Sequence, residues 1–182
     1  MSFKRFAAVC TAAVLAGWAA TAVAADQEYG RSGPYLGAGG TYGFENFDGV
    51  PGAGGGWGYN LKGGYRFNQY FAIEAEFEQL LGLESNLGDI DSWVLTGAGK
   101  FFALDGPIQP FALAGIGWAG VDQSGVGGID DDGLGFRFGA GVDFYATRNI
   151  AITAEVGYIL GTGDVGDFNL IPVSLGVLYR FY

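Results

Sequence analysis

Trp57-Gly58-Tyr59-Asn60-Leu61-Lys62-Gly63-Gly64-Tyr65-Arg66-Phe67 decides how the rest of the chain is read. Successive side chains of an extended strand point to opposite sides, so Trp57, Tyr59, Leu61, Tyr65 and Phe67 share one face and Gly58, Asn60, Lys62, Gly64 and Arg66 the other. One face suits hydrocarbon and the other water. The same alternation reaches the end of the chain, where Val173, Leu175, Val177, Tyr179 and Phe181 interleave with Ser174, Gly176 and Arg180. The pattern predicts an all-β fold, an eight-stranded antiparallel up-and-down transmembrane β-barrel.

Working outward, the two-residue period marks segments at 34–44, 56–67, 71–79, 93–103, 109–121, 134–145, 150–160 and 170–182. Short turns are expected near Asn68-Gln69-Tyr70, Asp105-Gly106-Pro107 and Ala146-Thr147-Arg148-Asn149, and long loops over 45–55, 80–92, 122–133 and 161–169. Short turns at one end and long loops at the other, joining an even number of strands, are the asymmetry of bacterial outer-membrane barrels. Phe71, Ile73, Ala75 and Phe77, Leu134 through Phe144 at alternate positions, and Ile150, Ile152, Ala154, Val156 and Tyr158 are assigned outward. In the first and fifth strands Gly and Ala occupy both faces, and the facing stays open. A soluble barrel would put these aromatics inside. Against it, aromatics gather near strand ends on the apolar face, and glycines such as Gly58, Gly64, Gly139, Gly141 and Gly176 gather on the charged face, where a narrow lumen needs space.

The expected lumen holds Lys62, Arg66, Lys100, Arg137 and Arg180 against Glu74, Glu76, Glu78, Asp143 and Glu155. A hairpin that pairs Phe67 with Phe71 sets Lys62 opposite Glu76 and Arg66 diagonal to Glu74, and the sixth and seventh strands bring Arg137 toward Glu155. A cation on the lipid face costs up to about 2–4 kcal/mol, so five of them would approach the stability of a whole domain. Inward facing follows. Eight strands enclose about enough room for side chains, so a charge-paired plug and no wide pore are expected.

Lys4 and Arg5 precede an alanine-rich apolar run, and Ala22-Val23-Ala24 supplies small residues for cleavage, which predicts a secretory signal over 1–25 and a barrel domain over 26–182. Cys10 lies in the removed segment, so no disulfide scaffold is expected. Cleavage also removes two of nine basic residues, leaving seven against nineteen acidic ones and a net charge of −12, which argues against nucleic acid.

These residues resemble the small OmpA-type outer-membrane barrels, including the opacity-type surface antigens of Gram-negative bacteria grouped as a porin family. The resemblance covers essentially all of the predicted mature chain. Its most specific piece is Ser174-x-Gly176-x-x-Tyr179-x-Phe181, similar to the C-terminal assembly signal of such barrels. It implies recognition by the barrel-assembly machinery, outer-membrane lipid and lipopolysaccharide as surroundings, and a monomer. Phe138-Gly139-Ala140-Gly141-Val142-Asp143-Phe144 and the strand after it are similar to the sixth-to-seventh hairpin of that family. Longer relatives of this type continue into a peptidoglycan-binding domain. This chain stops at Tyr182, so a cell-wall tether is not expected.

Histidine is absent, which removes the base that outer-membrane proteases, palmitoyltransferases and deacylases use, so no enzyme activity and no cofactor are expected. The four long loops carry acidic residues and no basic ones. Their bland reading is a solvated tip. The sharper one makes Asp130, Asp131 and Asp132 a loose divalent-cation cluster bridging to lipopolysaccharide. The expected role is structural and surface-presenting, with possible host or environmental contacts at the loops. A narrow porin-like channel for small solutes or cations is the alternative, and an adhesin the second.

Overall fold

The computed structural model describes residues 29–45, 55–85, 88–123, 130–162 and 169–181. The predicted leader with Cys10, and Tyr182, lie outside them. Eight strands follow in chain order: β1 (Gly33–Glu45), β2 (Gly56–Arg66), β3 (Phe71–Ser85), β4 (Gly88–Phe102), β5 (Ile108–Gln123), β6 (Asp130–Tyr145), β7 (Ile150–Gly161) and β8 (Asn169–Arg180). Each pairs antiparallel with the next, and β1 pairs with β8, so the sheet closes into a barrel. Closure satisfies the backbone groups that an open edge would leave bare, which is what a hydrocarbon surrounding demands.

The pleat sorts the side chains as the alternation predicts. Leu61 is 53% exposed, Phe138 49% and Val177 51%, while Lys62, Arg137 and Glu155 on the other face are at most 4% exposed. The apolar residues are on the outside and the ionised ones within, the inverse of a soluble barrel. Neighbouring strands settle the two open cases. Tyr35, Gly37, Gly39 and Thr41 of β1 face inward and Leu36, Ala38 and Gly40 outward; in β5, Gln109, Phe111 and Leu113 face inward and Ala112, Ala114, Ile116 and Trp118 outward.

The turns form where expected. Asn68 Oδ1 accepts the backbone N–H groups of Tyr70 and Phe71 at 2.8 and 2.9 Å, and Thr147 Oγ1 accepts that of Ile150 at 3.0 Å. These side chains take over hydrogen bonds that the reversing backbone gives up.

Two expected loops are corrected. Residues 80–92 are mostly strand, since β3 runs to Ser85 and β4 starts at Gly88, with a register shift between Leu80 and Leu83. Leu80-Leu81-Gly82-Leu83 is apolar on consecutive positions because two residues face one across a bulge, and the bulge hides the period. Residues 122–133 are also shorter as a loop: β5 reaches Gln123 and β6 begins at Asp130. Aspartate is disfavoured in strands, which is why Asp130, Asp131 and Asp132 read as loop, yet Asp130 pairs with Asp122, and Asp122 with Asp91.

Candidate functional site

The lumen is built in three layers. The middle one is charged. Lys62 of β2 lies opposite Glu76 of β3 in register, as the hairpin argument requires, and its Nζ sits 3.4 Å from Glu76 Oε2 and 2.6 Å from Glu155 Oε2. Arg137 Nη2 is 2.9 Å from Glu76 Oε2, 2.8 Å from Glu155 Oε1 and 3.9 Å from Glu78 Oε2. Lys100 Nζ lies 3.2 Å from Asp143 Oδ2 and 3.6 Å from Glu74 Oε2. Tyr35 donates to Glu74 Oε2 at 2.9 Å and Thr41 to Glu78 Oε2 at 3.3 Å. Carboxylate oxygens of Glu74, Glu76 and Glu155 come within 4.8 Å of one another, a spacing that could hold a metal ion, but the Lys62 ammonium and the Arg137 guanidinium already stand against two of them.

Toward the turns the lumen becomes aromatic. Tyr29, Tyr35, Phe102, Phe111, Leu113, Tyr145 and Leu178 form a buried cluster, with Lys100 Nζ 3.7 Å from the Phe111 ring centre. Arg66 and Arg180, expected among the charge pairs, are in this floor. Arg66 is diagonal to Glu74 in register, but its guanidinium turns away, donating to the carbonyls of Asn68 and Gln69 at 2.9 and 2.5 Å and to Gln109 Oε1 at 2.5 Å, and lying 3.9 Å from the Phe102 ring centre. Arg180 donates to Tyr145 Oη at 2.9 Å and to the carbonyls of Tyr29 and Arg31. The two arginines clamp the turn-side chain segments across the barrel mouth. The cavity left between Tyr35, Arg66, Asp143, Tyr145 and Arg180 holds about 10 Å³, scarcely one water.

Toward the loops the lid is aliphatic. Leu80, Val94, Ala119, Ile159 and Leu170 are each 2% exposed or less, and the Leu80 and Leu170 side chains lean over Gly43, where a Cβ would meet them at 2.5 and 2.9 Å. The interior glycines make this packing possible. Gly141 stands opposite Glu155, and a Cβ there would meet Phe111 Cζ at 2.5 Å and Glu155 Cα at 3.0 Å. Gly141→Val is therefore expected to cost about 1–3 kcal/mol through overpacking, read from the midpoint of urea unfolding in lipid vesicles.

Tyr35, Thr41, Gln109 and Tyr145 belong to this network although nothing singled them out beforehand. Three of them lie on the strands whose facing was open, and the signal that finds them is a polar group at an inward position once facing is known. Of the assembly-signal residues, Ser174 and Gly176 point inward, while Tyr179 and Phe181 point outward with their rings 4.9 Å apart edge to face. Of the expected cation cluster, Asp132 faces outward and accepts a 2.5 Å bond from Trp118 Nε1, while the side chains of Asp130 and Asp131 lie outside the described ones.

The sequence profile of the outer membrane protein beta-barrel domain matches residues 10–181. No curated protein matches the chain by sequence. Among solved structures, Neisserial surface protein A is 18% identical, with 82% of this chain and 98% of that one covered and a TM-score of 0.71. Ail, the attachment invasion locus protein of Yersinia pestis, is 24% identical, with 83% and 100% covered and a TM-score of 0.62. The N-terminal β-barrel domain of Pseudomonas aeruginosa OprF is 12% identical, with 83% and 100% covered and a TM-score of 0.62.

Proposed function

We propose that this chain, which belongs to the outer membrane protein beta-barrel domain family, serves the outer membrane as a sealed structural barrel that presents its loop-side hairpins at the cell surface. The observation that carries this reading is the layered lumen: a charged middle closed by an aliphatic lid and an aromatic, arginine-clamped floor. An ion entering such an interior would have to push through both apolar layers and break buried pairs whose desolvation is otherwise unrecovered. In this reading residues 1–25 direct export, residues 26–182 remain as a monomer among outer-membrane lipid and lipopolysaccharide, and β8 is the strand that the assembly machinery engages. It is non-catalytic, consistent with a chain that has no histidine.

Single-channel recording on the refolded mature protein tests it. A silent planar bilayer is expected, and reproducible stepwise conductance would replace the structural reading with the narrow channel. A surface-contact role draws on the length of β3 to β6 beyond the lid. Ail has been crystallised with a heparin analogue. Here the loop-side segments carry acidic residues and no Lys or Arg, so a contact made through them would favour cationic over sulfated partners.

A further inference from the structure

We propose that residues 29–32 form a strap that docks only after β8 has paired with β1, and that this strap sets how slowly the finished barrel opens rather than how fast it folds.

The strap runs from the lumen floor into β1. At its start Tyr29 is 7% exposed, with its ring 5.3 Å from that of Tyr145 at the end of β6. Gly30 lies against the β2–β3 and β4–β5 turns, so closely that a Cβ would meet Gln69 Cβ and Asp105 Oδ1, each at 2.8 Å. Ser32 Oγ donates to the Phe67 carbonyl at 2.6 Å. Gly33 then swings the chain into β1 at a φ of 155°, which residues with a side chain rarely adopt, and a Cβ there would meet the Phe181 carbonyl oxygen at 2.6 Å. Arg180 of β8 completes the docking: its guanidinium donates to the carbonyls of Tyr29 and Arg31 and, at 2.9 Å, to Tyr145 Oη.

That placement spans the weakest joint of the closed sheet. Every other pair of neighbouring strands is joined by the chain itself, whereas β1 and β8 are held together by their ladder and packing. Parting them bares backbone groups to hydrocarbon, and a ladder parts most easily from an end. On the turn side that end is the Tyr35–Arg180 pair, beside the strap. Because the strap is continuous with β1 and bonded to β8, the seam cannot open there until the strap lets go.

The order of docking follows from separation along the chain. Arg180 is 151 residues from Tyr29 and 149 from Arg31, so these bonds close a loop of nearly the whole protein. Contacts of such separation repay their entropy only once the chain between them is organised. Four residues whose partners lie on two turns, the end of β6 and the last strand have no complete surface to dock against until β8 is in place. Their contacts are then absent from the folding transition state, and stability lost from such contacts appears as faster unfolding.

Refolding of the mature protein into lipid vesicles on urea dilution, and its unfolding on a jump into urea, give the two rates when followed by the heat-dependent gel shift. Tyr29→Ala and Gly30→Val are each expected to unfold about ten- to a hundredfold faster and to refold within about twofold of the wild-type rate. The double variant is expected to unfold within about threefold of the faster single one, because either change alone undocks the strap. An unfolding rate within about twofold of wild type in either single variant overturns the proposal, as does a refolding rate that falls by more than the unfolding rate rises, or a failure to refold. Factors that multiply in the double variant overturn it as well, since the residues would then act as separate contacts and not as one strap.

Discussion

Arg137→Ala is expected to lose about 3–5 kcal/mol of unfolding free energy, the cost of stripping one partner from a buried ion pair. The guanidinium touches Glu76 and Glu155 within 3 Å and reaches Glu78 at 3.9 Å, and all four side chains are nearly inaccessible. Without it, three carboxylates face each other across a few ångströms with Lys62 as the nearest cation. Leu80 and Leu170 above, and Phe102 and Phe111 below, keep out the water that would otherwise screen them. The penalty belongs to the uncompensated charge rather than to a lost attraction, so the triple change Arg137→Met, Glu76→Gln and Glu155→Gln should recover most of it. Equilibrium urea unfolding in lipid vesicles, followed by the gel shift, measures both. A loss under about 1 kcal/mol for Arg137→Ala would mean that the lumen behaves like a wet surface site, and the sealed reading would fail with it.

How much of this network was legible beforehand follows from what each residue type reports. Lys62, Glu76, Arg137 and Glu155 announce their face because a charge cannot sit against hydrocarbon, and from one hairpin their register follows by parity. Tyr35 and Tyr145 carry no such mark. A tyrosine suits an aromatic girdle and a lumen floor alike, and on β1 the surrounding Gly and Ala residues offer no contrast between faces. Arg66 shows a different limit. Its Cα position was deducible, but a long side chain chooses among partners in three dimensions, and the carbonyls of Asn68 and Gln69 won over Glu74. The bulge at Leu80–Leu83 escaped because a period of two cannot reveal the one place where the count changes.

Phe138→Arg is the companion change, one residue along the same strand, and is expected to lose about 2–4 kcal/mol for the opposite reason. Phe138 lies midway along the outward run from Leu134 to Phe144, is 49% exposed and stands between Ala114 and Tyr158 on the adjoining strands, with no carboxylate beside it. In a water-soluble barrel an arginine at a half-exposed position would be tolerated within about 0.5 kcal/mol. In a bilayer the cost must fall with distance from the midplane, so the same arginine at Phe144, by the turns, is expected to cost about 0–1 kcal/mol. Phe138→Leu, which keeps the apolar character, should cost under about 1.5 kcal/mol. The gradient from Phe138 to Phe144 in vesicle unfolding is the decisive measurement. A flat, small cost at both positions would remove the hydrocarbon from around this face, and with it the reason that Arg137 is held inside.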